Sequence, residues 1–410
     1  MAELLPFHGL LPSKERASLV AAVPYDVVNS QEAAELAKDN SYSFLHVSRP
    51  EIDLPDGIDL HDDKVYRQAG EAFRRLCREV PLTQDPGKHL YVYQLQMGDQ
   101  VQTGIIGAAS AAEYKSGIIK KHEKTRQDKE DDRTRHVMEL RSHTGPAFFT
   151  YRANAKIDEL VKKELTRDPL FNFTAADGIR HTIWRIDEAN SEKLAGLFRR
   201  DVPVFYIADG HHRSAAAART AAECAPKNPH HTGKEDYNYF LTVAFPANQL
   251  KILPYNRAVR TLNGHTPAVF LTMLGEKFKI SPANDGEVAK PGKFKFYLAH
   301  CWYLAKPKFD LSKLNVIEQL DVSILQDNVL APLLGIDDPR TSKEIDFIGG
   351  IRGTKELVKL VDSKQYAIAF SMHATTVDQL MAIADAGEIM PPKSTWFEPK
   401  LRDGLVSHNF

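Results

Sequence analysis

Val204-Phe205-Tyr206-Ile207-Ala208-Asp209-Gly210-His211-His212-Arg213-Ser214-Ala215-Ala216-Ala217 is the stretch of this chain that decides the reading of its fold. Its first half is an apolar run suited to a buried strand, and its second opens an alanine-rich run of high helix propensity. Only Asp209 and Gly210 stand between them, so strand passes into helix at a sharp corner. A helix start leaves its first N–H groups without intrahelical partners and carries the positive end of the helix dipole. Gly210 lets the backbone approach a ligand, and Arg213 adds a fork of donors shaped for phosphate oxygens. Asp209 is placed to hold a metal ion or orient a histidine, while His211 and His212 are placed to donate to a phosphoryl group. The plainer alternative makes Asp209 a helix cap and the histidines exposed turn residues. Two adjacent histidines and an arginine at one corner favour a site.

Around this corner the pattern alternates. Leu19 to Val28 reads as a strand ending at Pro24-Tyr25-Asp26, followed by a helix that Ser30 caps and Ala33, Ala34, Leu36 and Ala37 carry. Val65 to Val80 has helical spacing, and the runs Leu90–Met97 and Val101–Ala108 flank Gly98-Asp99 as a hairpin. Lys120 to His136 is a mixed-charge run that reads as a solvated helix or loop. Ile183 to Ile186 is a strand, Asn190 caps a short helix, and Phe240 to Phe245 is a further strand. Strands near Phe278, Phe294–Leu298 and Trp302–Leu304 precede two helix–strand units, the second with Thr375 as N-cap, Asp378 at N3 and Gly387 at the C-cap. The class is α/β, of the α+β kind, with a boundary near 260 separating residues 1–260 from 261–410.

Composition narrows the function. A chain of 410 residues has material for two or three units, and 53 Lys plus Arg against 54 Asp plus Glu gives no field to gather nucleic acid or anionic lipid. Cys77, Cys224 and Cys301 form neither a disulfide framework nor a metal-binding pair, so buried thiols in a reducing compartment are expected. With no basic-then-apolar leader and no apolar run of about 18 residues, the expected location is the cytoplasm. Gly-x-x-x-x-Gly-Lys-Ser/Thr, Gly-x-Gly-x-x-Gly, His-Glu-x-x-His and Gly-x-Ser-x-Gly are all missing, which excludes the commonest nucleotide, zinc-protease and hydrolase signatures.

Two further segments carry chemistry. His122-Glu123-Lys124-Thr125 offers Glu123 as a base for a hydroxyl proton, with Arg126, Asp132 and Arg133 extending a polar wall. A carboxylate among Lys120, Lys121 and Lys124 also reads as merely solvated. Near the C-terminus, Lys393 and Lys400 lie in proline-stiffened backbone able to approach phosphate as point charges, with Trp396 and Phe397 between them. Packing of a proline-rich tail explains the same residues. Asp26 is a possible base or metal ligand in a segment that turn formation already accounts for.

Asp-Gly-His-His-Arg after an apolar strand resembles the Asp-Gly-His-Thr-Arg motif of free L-serine kinases, which have the ParB/sulfiredoxin-like fold and hold nucleotide phosphates on the matching loop. Over nearly its whole length the chain is similar to a widespread bacterial family catalogued as a domain of unknown function. Pro24-Tyr25-Asp26-Val27, His122 to Thr125, Asp209 to Arg213 and Met390 to Lys400 carry that similarity. Some members of the wider group resemble serine kinases that use inorganic pyrophosphate. The resemblance implies a ParB/sulfiredoxin-like catalytic core in 1–260, an added C-terminal α/β region whose last segment returns to the site, and Mg²⁺ as cofactor. It implies a phosphotransferase acting on a small hydroxyl metabolite, L-serine first, from pyrophosphate or a nucleotide. Glu123, Asp209 and His211 would be catalytic, and Gly210, His212, Arg213, Lys393 and Lys400 would bind phosphate. His122, Thr125 and Asp26 would contact substrate, with Asp209 also a metal ligand. His212 replaces the threonine of the serine kinases and alters the nucleotide contact. A nucleotide-sensing or DNA-binding ParB-like module and a phosphatase of small metabolites are the alternatives; the neutral charge and the lack of a helix-turn-helix pattern count against the first.

Overall fold

A computed structural model describes residues 1–410 and divides into two compact units, Met1–Leu250 with Pro399–Phe410, and Lys251–Glu398. The first division therefore falls at 250/251 rather than near 260, and the C-terminal tail belongs to the first unit. Both units mix helices with sheets, giving an α+β protein, and no helix is long and apolar enough to cross a membrane.

The first unit is built on a nine-stranded mixed sheet. From one edge, its strands run Ile119–Lys120, Phe205–Asp209, Ala147–Tyr151, Tyr239–Pro246, Gln100–Ser110, Tyr91–Met97, Arg180–Arg185 and Phe171–Thr174, with Leu4–Leu5 also paired to Gln100–Ser110. The hairpin turns at Gly98, whose φ of +58° suits glycine. Phe149, Phe198, Phe205 and Phe240 fill the core beneath the sheet. Phe205–Asp209 runs parallel to Ile119–Lys120, so the segments leaving both strands emerge at the same end of the sheet. A register shift between Ile207 and Asp209 bulges the strand at its last residue and re-aims Asp209.

Several sequence expectations need correction. Leu19–Val28 is not a strand: Ala17–Val20 is a short helix, and Ala22 then makes an isolated bridge with Asp403. Pro24 has no N–H to continue a ladder. Asn29, one residue before Ser30, caps the next helix through a full capping box with Glu32. Asp187 rather than Asn190 caps helix Glu188–Asp201. Within Lys120–His136 the helix Gln127–Leu140 buries Asp132, Thr134 and His136, because its charges pair internally instead of facing water. Cys224 is buried, but Cys77 is half-buried and Cys301 exposed.

The helix after the corner, His211–Cys224, buries Ala215, Ala216, Ala217, Ala218 and Ala221 and packs against Gln127–Leu140. Its run of methyl side chains sets how near its neighbours come. The last twelve residues close a second, four-stranded sheet in the order Thr83–Gln84, Gly9–Leu11, Ser407–Asn409, Ser142–His143.

The second unit holds a six-stranded antiparallel sheet ordered Phe278–Ala283, Cys301–Pro307, Phe294–Leu298, Ile368–Ser371, Tyr255–Val259, Ile345–Gly349. Thr376 and Gln379, each one residue beyond the expected positions, form the capping box of helix Val377–Asp385.

Close packing of the alanine helix is open to test. Ala217 is 1% exposed, so Ala217→Leu keeps helix propensity but inserts three carbons into a filled interior. The urea midpoint should fall by the equivalent of about 1–3 kcal/mol; an unchanged midpoint would contradict the packing described.

Candidate functional site

Asp209 ends its strand with both carboxylate oxygens engaged: Oδ1 accepts the Gly210 N–H at 2.7 Å, and Oδ2 accepts the Lys400 ammonium at 2.8 Å. Arg213 Nη2 stands 3.9 Å from Oδ1. Desolvation opposes ionisation of Asp209, but the Lys400 and Arg213 charges and the two hydrogen bonds outweigh it and hold the carboxyl well below the usual range. Gly210 has φ +88°, and a Cβ there would lie 3.1 Å from Arg213 Nε and 3.3 Å from Ala147 Cα. Only glycine takes that turn without strain.

His122 and Glu123 arrive from the parallel edge strand Ile119–Lys120. The His122 ring meets the His211 ring edge-on with centroids 4.5 Å apart, and it hydrogen-bonds the backbone of Ile207. Donor atoms of His122, Glu123 and His211 lie within 4.8 Å of one another, the spacing of a metal-ligand or proton-transfer cluster. Burial pushes the His211 pKa down to about 3, a shift that Asp209 opposes, and pushes His122 well below its ordinary value. Both imidazoles are therefore neutral at pH 7.

Arg213 is drawn into the interior rather than left at the surface of its helix start. Its side chain is 11% exposed, and Nη1 donates to the Pro146 carbonyl. Behind the corner it lines a cavity of about 40 Å³ with Tyr25, Ser48, Arg133, His143, Gly145 and Asp403 among the walls. Arg133 lies 4.1 Å above the Tyr25 ring and pairs with Asp132 at 2.8 Å. Burial raises the Asp403 pKa to about 7, against the lowering effect of Arg213.

The structure thus brings together Asp209, Gly210, His211, Arg213, Lys400, His122 and Glu123. His212 sits one step outward, where Nε2 accepts the Arg126 N–H at 3.2 Å. The Thr125 hydroxyl donates to Glu130. Asp26 is exposed, though its charge acts on Arg213. Lys393 lies in the second unit with its ammonium 5.8 Å from the Tyr255 ring centre. Asp209 accepts one hydrogen bond on each oxygen, from Gly210 and Lys400, and the ligand-type atoms that lie together are those of His122, Glu123 and His211. Sequence reading missed Ser48, His143 and Asp403. Asp403-Gly404 repeats the Asp-Gly pair of the main corner three residues past Lys400, and that was the available signal.

Fold and site define an α+β protein with a cation-held carboxylate at a strand-to-helix corner and a histidine–glutamate cluster beside it. A family model described as "Protein of unknown function (DUF1015)" matches residues 4–323, and the chain belongs to that family. Comparison with curated proteins gives no match. Among solved structures, a mutant free serine kinase in complex with ADP is similar at 15% identity and TM-score 0.36, covering 73% of this chain and 88% of that one. SbnI with a C-terminal truncation, from Staphylococcus aureus, gives 11% identity and TM-score 0.40 over 73% and 85%. A conserved hypothetical protein from Pyrococcus furiosus gives 13% and 0.34 over 74% and 94%. These likenesses are distant.

The Lys400–Asp209 pair supplies a stability test. Breaking a fully buried ion pair by removing one partner costs about 3–5 kcal/mol. Asp209 keeps 26% of its side chain in solvent, so Lys400→Met should cost about half that. Because the folded pKa of Asp209 is depressed, the pair's contribution is present above the unfolded carboxyl pKa and is lost as pH falls. The gap between wild type and variant in urea melts should therefore be widest near neutrality and shrink below about pH 4. A pH-independent gap would mean that the pair does not hold Asp209 ionised.

Proposed function

We propose that this chain is a phosphotransferase, passing a phosphoryl group from pyrophosphate or a nucleotide to the hydroxyl of a small metabolite, with L-serine the preferred acceptor. The observation that carries this reading is the convergence of Lys400, Arg213 and a helix start on Gly210, with Glu123 and two neutral imidazoles alongside. Phosphoryl transfer asks mainly for positioning and charge neutralisation, and this corner concentrates both. The sequence motif Asp209 to Arg213, similar to that of free serine kinases, points the same way.

In the step itself the acceptor oxygen forms a bond to phosphorus as the bond to the leaving phosphate or nucleotide breaks. Glu123 takes the acceptor's proton, and the cations with the first N–H groups of helix His211–Cys224 offset the developing charge. Asp209 serves by fixing Lys400. His211, neutral and beside both Asp209 and Glu123, is suited to donate a hydrogen bond to a transferring oxygen.

Mg²⁺ fits these residues poorly. It takes hard oxygen ligands in octahedral geometry, whereas the available cluster presents two imidazoles and one carboxylate, and Asp209 is engaged elsewhere. Any Mg²⁺ in the reaction would come bound to the phosphates of the donor.

Following ³¹P NMR signals for O-phosphoserine in mixtures of the protein, L-serine and pyrophosphate, ATP or ADP tests the reading directly. Glu123→Gln should lower kcat by about 10²-fold or more while sparing donor binding, since general-base catalysis contributes typically about 10²–10⁴. No phosphoserine with any donor would sink the serine assignment, and normal turnover in the variant would remove Glu123 as the base.

A further inference from the structure

The cavity behind the corner has four buried polar atoms in its walls that lack a hydrogen-bond partner: Ser48 Oγ, His143 Nε2, Arg213 Nε and Asp403 Oδ1. Ser48, His143 and Asp403 are at most 5% exposed, and the Arg213 side chain 11%. Leaving one such atom unpaired costs about 1–3 kcal/mol, so four of them on residues that wall one cavity call for partners that the fold itself does not supply. They also come from separate parts of the chain: a short helix at 45–48, the strand Ser142–His143, the helix start at 211 and the returning tail.

The charges around the space select its occupant. Arg213 and Arg133 present two cations, of which Arg133 is balanced by Asp132. Asp403 presents a carboxylate opposite them, and Asp26 acts on both Arg213 and Asp403 from the outer side. A simple anion would answer Arg213 and meet repulsion from Asp403. A simple cation would answer Asp403 and meet repulsion from the guanidiniums. A ligand bearing a carboxylate and an ammonium on neighbouring atoms satisfies both, and Ser48 and His143 can serve its remaining donors and acceptors. At about 40 Å³ the space suits a small head group and excludes a nucleoside.

We propose that Arg213 and Asp403, with Ser48 and His143, form a recognition subsite for the zwitterionic head group of a small α-amino acid. It rests on the phosphotransfer reading only in making that amino acid the acceptor. Arg213 then has two faces, one toward Asp209 where the phosphoryl group would sit and one toward the acceptor's carboxylate, which would fix the distance between the reacting partners.

Isothermal titration calorimetry on the full chain tests the subsite with L-alanine, which has the head group and no hydroxyl to react. Lactate lacks the ammonium and ethanolamine lacks the carboxylate. L-alanine should bind, and each of the other two should bind at least about 10-fold more weakly, the usual loss when a charge-assisted hydrogen bond goes unmade. Asp403→Asn should weaken L-alanine at least about 10-fold while leaving the melting temperature at pH 8 equal or higher, because the amide relieves a buried carboxylate. Gly145→Ala keeps every charge but sets a Cβ 3.0 Å from Asp403 Oδ1, and should weaken L-alanine as well. Lactate binding as tightly as L-alanine, undiminished binding in Asp403→Asn, or no L-alanine binding at millimolar concentration would overturn the proposal, the last meaning that ordered water fills the space. Failure of phosphotransfer would leave these results untouched, since none depends on turnover.

Discussion

The ion pair between Lys400 and Asp209 joins residues 191 positions apart, and the geometry of the corner depends on it. Asp209 is the last residue of a bulged strand, where backbone pairing no longer dictates the direction of its side chain. The ammonium on one oxygen and the Gly210 N–H on the other fix that direction instead. For the ammonium to arrive, the tail must be anchored on both sides. Its anchors are the paired backbone of Asp403 with Ala22 and the strand Ser407–Asn409 between Gly9–Leu11 and Ser142–His143. Closing so long a loop costs entropy only logarithmically in its length, so a few such contacts suffice.

The corner is equally a product of small residues. Gly210 turns the chain into the left-handed region, and the alanine run lets the helix seat against Gln127–Leu140 with its first turn aimed at the sheet's end. The parallel pairing with Ile119–Lys120 delivers His122 and Glu123 to that same end. Loops that leave the carboxyl ends of neighbouring parallel strands converge on one crevice, which is why segments far apart in sequence make one cluster.

Residues close in sequence were legible because local rules govern them. The strand–glycine–helix corner, the hairpin at Gly98 and the helix expected over Val65–Val80, which runs Asp63–Glu79, each follow from periodicity and turn chemistry within a dozen or so residues. What escaped was set by distant partners. Ala22 bridges a residue almost at the chain's other end, so the apolar run around it never becomes a sheet strand. Asp132, Arg133 and His136 looked solvated because the partners that bury them lie far away in sequence: beyond the pair Asp132 makes with Arg133, these are Tyr66, Tyr25 and Val47, brought in by the fold. The burial of Arg213 was equally out of local reach, since Pro146 and Asp403 wall it in. The partner that Lys400 has in the fold, the Asp209 carboxylate 191 positions away, was likewise beyond local reading.

Two carboxylates flank Arg213 and are driven in opposite directions. Each gains from the same guanidinium, so the guanidinium does not explain the divergence. Asp209 has a second cation and a backbone N–H on its oxygens, and stays ionised. Asp403 has an unpartnered Oδ1 and near-complete burial, and its pKa rises to about 7. A chain selected for stability alone would favour an asparagine at 403, which fills the same space without the cost of burying a charge. Retaining an acid there makes sense if something arrives to meet it, whereas the pairing of Asp209 is complete within the fold. Asp209 is thus held ionised by partners within the fold, whereas burial works against the charge of Asp403, whose Oδ1 has no such partner.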